Sequence, residues 1–318
     1  MSLAKGKYIY FMDADDFIEA DALKELYDIS EKTDSDIVLF KEINYVDETK
    51  ETYTTVYYDM PYLRDNVGGR VFTYRDDIYH MLFIPVTVHG KFFKRDFITQ
   101  IRFPDDIKFE DNIFIVEALI RANRMYYYDE YLYYRRIREN SITTSFYDAY
   151  EDFIVMNDLL FEKVEELGVM HLFKGSLYNK KIHNVHQQLT FLEEEHKQEV
   201  FEAFKQDFLK HKDEYESDDV FMHEIDDRMR CIFYSCIESD TWQEFELKVS
   251  LFEKQEEFNS LKSADNENKN NITELNRQHS SQKRKIDDLS RKNDELLSSS
   301  SWKVTQPLRK SGRILKKR

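Results

Sequence analysis

The sequence predicts an α/β fold followed by a helical C-terminal region. Three observations predict it. Residues 8–12 form a short, continuous apolar run that stops abruptly at Asp13-Ala14-Asp15-Asp16. A helical pattern and a second apolar run, Asp36-Ile37-Val38-Leu39-Phe40, follow directly. From about Tyr147 the pattern is helical.

A run that is apolar on both faces reads as a buried parallel strand. The helix after it starts at about Asp21, which can cap it, and runs through Leu23, Leu26 and Ile29. Strand, acidic turn, helix and strand then make a βαβ unit. Residues 44–70 are polar and irregular, with Gly68-Gly69 at their end. A short helix is expected over 76–83, and residues 125–134 read as one or two aromatic strands. Several helical segments follow up to about Phe258, and residues 266–271 are a polar interruption. From Ile272 a three-four spacing holds Ile272, Leu275, His279, Gln282, Ile286, Leu289, Asn293 and Leu296. Half of these positions are polar, so the stretch reads as a weak coiled coil or a solvated helix. The expected divisions are 1–146, 147–260, 261–301 and a basic tail, 302–318.

Composition bounds the chemistry. Seven Gly and four Pro in 318 residues leave few tight turns, and 21 Tyr with 24 Phe supply an aromatic core. The net charge of −16 argues against nucleic acid as the main partner. The tail from Trp302 reverses that balance, with seven basic residues and no acidic one. It suits an anionic membrane leaflet, or is a solubilising end. Cys231 and Cys236 lie inside a helical pattern and read as core thiols in a reducing compartment. The expectation is a cytoplasmic protein with peripheral membrane contact through the tail.

Asp13 and Asp15 stand two apart at the carboxyl end of a strand, where open α/β sheets bind ligands. Hard oxygen ligands so placed suit Mg²⁺ or Mn²⁺, whose remaining ligands come from water and phosphate. Asp is also common in any strand-to-helix turn. The stretch from Lys5 through Asp13-Ala14-Asp15-Asp16-Phe17-Ile18 resembles the Asp-x-Asp region of family-2 glycosyltransferases of the GT-A fold, especially those building surface polysaccharides. The resemblance implies that Asp13 and Asp15 hold a divalent metal on the diphosphate of a nucleotide sugar, a UDP-sugar above all, with Asp16 as a helper.

Phe109-Glu110-Asp111-Asn112 starts a helix, where acidic residues are favoured by the dipole. Its spacing from the first motif resembles the family's Glu-Asp pair. That implies Asp111 as the general base and Glu110 as a neighbour that orients the acceptor or raises the Asp111 pKa. Residues 88–95, with His89 and Lys91, resemble a stretch where the family usually has Trp at the His89 position and lines the acceptor pocket. Residues 133–143 resemble the family's closing segment, with Arg138 where His is usual and Ser141 following. Arg138 can clamp phosphate oxygens. His183 and His186 read as ordinary helix residues.

The resemblance implies an incomplete GT-A sheet, lacking the N-terminal nucleotide-binding strands and therefore of little activity alone. The implied reaction is inverting sugar transfer to a hydroxyl of a glycan or lipid-linked acceptor. Two other readings stand beside it: a haloacid-dehalogenase-like phosphatase with Asp13 as nucleophile, and a non-enzymatic scaffold or remnant. Self-association through residues 272–296 is a further expectation.

Overall fold

The computed structural model describes residues 1–138 and 146–299. Ser141 and the tail from Trp302 lie outside the described residues. The first part runs β1 (Tyr8–Tyr10), β2 (Phe17–Ile18), α1 (Ala22–Thr33), β3 (Ile37–Val46), β4 (Thr52–Tyr53), α2 (Val56–Asp59), α3 (Pro61–Val67), β5 (Val71–Phe72), α4 (Ile78–Met81), β6 (Lys91–Lys94), α5 (Arg95–Ile98), α6 (Glu110–Arg121) and β7 (Met125–Ile137). The helices that follow are α7 (Tyr150–Glu166), α8 (Met170–Phe191), α9 (Glu194–Glu216), α10 (Asp219–His223), α11 (Asp227–Glu238) and α12 (Trp242–Ser298).

The sheet order is β1-β6-β3-β7-β2, with β4 on β3 and β5 on β7. Among the described residues only β3 and β7 pair in parallel; β6 pairs antiparallel with both β1 and β3. β1 and β3 therefore point the same way with β6 between them. This corrects the expected fully buried parallel strand. Only Ile9 of β1 is buried, and Phe11 has already left the ladder to pack in the core. The strand of the expected kind is β3, whose Ile37, Val38, Leu39 and Phe40 are all fully buried. Covering a side chain of that size is worth about 1.5–3 kcal/mol relative to exposure.

Other boundaries differ for local reasons. Asp21 stands at the start of α1, but its side chain does not cap it. Residues 44–70 are ordered as the β3–β4 hairpin, α2 and α3, held by buried Tyr58, Leu63 and Val67. The helix expected over 76–83 is a 3₁₀ turn, Tyr74–Asp76, followed by α4.

Met1–Ser250 forms one compact unit. Its helical region packs an aromatic core in which Phe201, Phe204, Phe208, Phe221 and Phe233 are all fully buried. Cys236 is buried in it, which pushes its thiol pKa up, and Cys231 is partly buried; both are free thiols. The start of α12 belongs here too, through Trp242, Phe245 and Val249.

The second unit begins at Leu251. Residues 266–271, expected as an interruption, are continuous helix. They contain neither Gly nor Pro, and ion pairs such as Lys269 to Asp265 at 2.6 Å support the exposed turn. Among the described residues no helix is long and apolar enough to cross a membrane.

Candidate active site

β1 delivers the acidic turn, and Phe11 anchors it. Its ring lies 5.8 Å from Phe93, 5.9 Å from Phe103 and 6.0 Å from Phe114. Phe114 sits on α6, one turn after Glu110-Asp111, so this aromatic cluster ties both carboxylate pairs to one core.

Within the turn the three aspartates differ. Asp13 and Asp15 are exposed. Asp16 is half-buried and both of its oxygens are engaged: the Tyr133 hydroxyl donates to Oδ2, and the Arg136 backbone N–H donates to Oδ1 at 2.8 Å. Asp16 thereby pins the turn to β7. Arg138, at the end of β7, pairs with the Asp15 carboxylate. The neighbouring Arg136 donates to the Asp15 carbonyl at 3.3 Å and grips Asp47 at 2.7 Å. Two guanidinium groups thus face the turn that carries the exposed carboxylates. The pairing of Arg138 and Asp15 involves half-exposed side chains and is easily exchanged for other partners.

His89 is buried, 6% exposed, and does not face solvent. Its ring stacks flat on Tyr133 at 4.3 Å, and Nδ1 lies 3.0 Å from Glu42 Oε2. Thr87 donates to the other Glu42 oxygen at 2.7 Å. Gly90 has to be glycine for this packing, because a Cβ there would stand 2.1 Å from Glu42 Oε1. Glu42, His89, Tyr133 and Asp16 form one connected support that runs from the sheet interior to the acidic turn.

Lys91 is also buried, 1% exposed, and donates to the carbonyls of Pro85 and Thr87, both at 2.5 Å. Burial pulls its pKa down to about 8, while Glu42 and Asp111 act in the opposite direction. Its ammonium therefore lies within electrostatic reach of both the support and Asp111.

Asp111 occupies the first turn of α6. The residue before the helix, Phe109, has φ +64°, a left-handed conformation that a bulky side chain adopts only at a cost. Its ring packs against Phe153 of α7 at 5.5 Å, which holds that geometry. Burial first, and the Glu110 charge second, raise the Asp111 pKa above the ordinary carboxylate value; Lys91 and the Asn112 amide, which donates at 3.1 Å, oppose them. Glu110 is exposed and borders an open hollow of about 660 Å³ with Phe103, Asp106, Lys108 and Asp152.

Several residues of this site escaped the sequence reading. Lys180 of α8 reaches the Leu82 carbonyl at 2.9 Å, and burial lowers its pKa to about 8 against the pull of Asp111. The Tyr57 hydroxyl accepts from Val86 N–H at 3.1 Å, and burial raises its pKa. Tyr79 and Phe83 are exposed rings on the same segment, 5.8 Å apart. These two rings, four apart in the expected 76–83 helix, had no other local signal.

His183 and His186 behave as ordinary helix residues, His186 lying 3.4 Å from Glu246. Among the described residues, metal-type ligand atoms of Asp158, Asp207 and His211 come within 4.8 Å of one another. Lys181 lies against both carboxylates, 3.1 Å from Asp158 and 2.8 Å from Asp207, so a protein ammonium already supplies the positive charge there.

Comparisons with known proteins bear on this geometry. Residues 1–92 match the family model of glycosyl transferase family 2. The chain is 29% identical over 167 residues to a poly(ribitol-phosphate) β-glucosyltransferase of Bacillus spizizenii, a match spanning 48% of this chain and 24% of that protein. The chain thus spans about a quarter of the length of that relative. Its fold is similar to S. aureus TarS 1–349 in complex with UDP-GlcNAc, with TM-score 0.58, 16% identity, and coverage of 80% of this chain and 70% of that one. Against S. aureus TarS 1–349 alone the TM-score is 0.54 at 15% identity, with coverage of 80% and 68%. The α/β sheet and large helical C-terminal region are similar to the GT-A fold of TarS, and it is residues 1–92 that resemble glycosyl transferase family 2.

Proposed function

We propose that this chain carries the metal and acceptor side of an inverting glycosyltransferase. It would transfer a sugar from a UDP-sugar to a hydroxyl of a surface glycan, and a polyol-phosphate polymer fits the relative from Bacillus spizizenii best. One observation carries the reading: the exposed Asp13 and Asp15 and the base candidate Asp111 stand on segments packed through Phe11 and Phe114.

Asp111 would take the acceptor hydroxyl proton. The acceptor oxygen forms its bond to the anomeric carbon from the face opposite the leaving group, and the bond to the diphosphate breaks. The chemistry of the donor set fits a hard divalent cation, Mn²⁺ or Mg²⁺. Asp13 and Asp15 offer exposed carboxylates in one turn, whereas both oxygens of Asp16 are engaged elsewhere. Such an ion would supply positive charge to the departing diphosphate. Arg138 would exchange Asp15 for a phosphate oxygen, and Arg136 would hold the turn beside it. Ser141 and the membrane role of the tail belong to this proposal as sequence-based elements. Self-association through residues 272–296 belongs to it as well. The expected divisions 1–146, 147–260, 261–301 and 302–318 remain its working description.

Two outcomes are expected. Asp13→Asn and Asp15→Asn should each weaken Mn²⁺ binding at least tenfold, read by paramagnetic broadening or calorimetry without turnover. Unchanged Mn²⁺ affinity in both would remove the metal site. Each substitution should also lower sugar transfer from a UDP-sugar to a polyol-phosphate acceptor at least tenfold, measured with radiolabelled donor; full transfer in both variants would contradict the metal role.

A further inference from the structure

The continuity of α12 changes what its stripe of apolar residues implies. With residues 266–271 helical, the three-four spacing seen from Ile272 extends back without a break to Leu251. The positions at this spacing run from Leu251 to Leu296. Eight are apolar: Leu251, Phe258, Leu261, Ile272, Leu275, Ile286, Leu289 and Leu296. All eight are 58–65% exposed. One helix cannot cover its own seam, and a stripe of this length on one face is the pattern by which helices pair.

The order of residues along the seam is a palindrome about a point between Ile272 and Leu275. Reading outward, Ile272 is mirrored by Leu275, Leu261 by Ile286, Phe258 by Leu289 and Leu251 by Leu296. The polar positions mirror one another too: Asn268 with His279, Asp265 with Gln282, and Lys254 with Asn293. In an antiparallel pair of identical helices, each a-type position meets a d-type position of the other chain. Every apolar residue then meets an apolar one, and every polar residue a polar one.

We infer that residues 251–296 pair antiparallel with the same segment of a second copy of this chain, centred between Ile272 and Leu275. This deepens the self-association expectation of the proposed function and rests on it. Charge decides the direction. A parallel, in-register pair would set Lys254 against Lys254 and Asp265 against Asp265 inside the seam, where like charges are costly. The antiparallel pair gives Lys254 an Asn and Asp265 a Gln, both able to hydrogen-bond. At the rim it sets Glu257 beside Lys292. Lys262 and Lys283 also come together at the rim, where long ammonium side chains reach solvent.

Sedimentation of the full chain with disulfide trapping tests this, using a Cys231→Ser background so that only one introduced thiol is accessible. Leu261→Cys and Ile286→Cys are made in separate chains and oxidised alone and mixed. The antiparallel pair predicts a dimer in sedimentation and a cross-link in the mixture only. In it, two Cys side chains at position 261 stand roughly 37 Å apart, 25 residues at the helical rise. Self-cross-linking of Leu261→Cys alone, with a dimer in sedimentation, would overturn the antiparallel arrangement and keep self-association. A monomer at every concentration would overturn both. Ile272→Asn with Leu275→Asn, which leaves residues 1–250 untouched, should shift the dimer to monomer at least tenfold in dissociation constant. An unchanged dimer in that variant would place the contact elsewhere and overturn the inference.

Discussion

Replacing Asp111 by Asn is expected to lower kcat for sugar transfer by about 10²–10⁴-fold, the range typical of a positioned general base. The substitution keeps the size of the side chain and an oxygen for the Asn112 amide, which donates to Asp111 Oδ1 at 3.1 Å. Folding and donor affinity should therefore be little changed. The pH dependence gives an independent reading. A base works when deprotonated, so the rate should rise with pH through a midpoint above the ordinary carboxylate value, because burial and then Glu110 raise the Asp111 pKa. Glu110→Gln removes one of the two causes and should move that midpoint to lower pH. A full rate in Asp111→Asn, or a midpoint that Glu110→Gln leaves in place, would take the role of base away from Asp111.

Lys181→Met is expected to destabilise the helical region strongly. Lys181 is 2% exposed and bridges Asp158 and Asp207 between α7, α8 and α9. Burial opposes its charge, but Tyr215, Asp207 and Asp158 outweigh it and raise its pKa. Burial likewise opposes ionisation of Asp158, and His211 and Lys181 hold its carboxyl well below the usual range. Removing the ammonium leaves Asp207, only 4% exposed, with His211 alone at 3.6 Å, and Asp158 with His211 and Lys210. Breaking a buried pair in this way costs about 3–5 kcal/mol, which lowers the thermal midpoint by roughly 10 °C in a unit of this size. Calorimetry checks it. Adding Asp207→Asn should recover part of the loss; a midpoint within a degree of the parent would show that the network contributes nothing.

Legibility of the site in the sequence followed the range of the interactions. The placement of Asp13 and Asp15 after β1 and of Asp111 in the first turn of α6 was readable, because each depends on a local pattern, an acidic turn after an apolar run or a carboxylate at a helix start. Asp16 was read as a helper of that turn, yet its partner Tyr133 lies 117 residues away. No local pattern reports such a contact. Glu42 lies beyond the apolar run 36–40 and drew no reading, and only the fold sets it 3.0 Å from His89. Lys180 sits in a helix that looked ordinary, 98 residues from the carbonyl it meets. The sheet direction escaped for a similar reason. Apolarity on both faces marks burial, but it does not say whether the neighbour runs parallel, and β6 runs the other way.

The Glu42, His89, Gly90, Tyr133 and Asp16 support also limits how this fold can be altered. Each member is fitted to the next by a stacked ring, a carboxylate contact or the absence of a Cβ. A single exchange at any of them unsettles the rest, so these positions can drift only as a set. Tyr79 and Phe83 carry no such obligation; both rings face solvent on the segment that leads into Lys91. Substitution is therefore expected to be tolerated at Tyr79 and Phe83 and poorly tolerated at the five residues beneath the acidic turn.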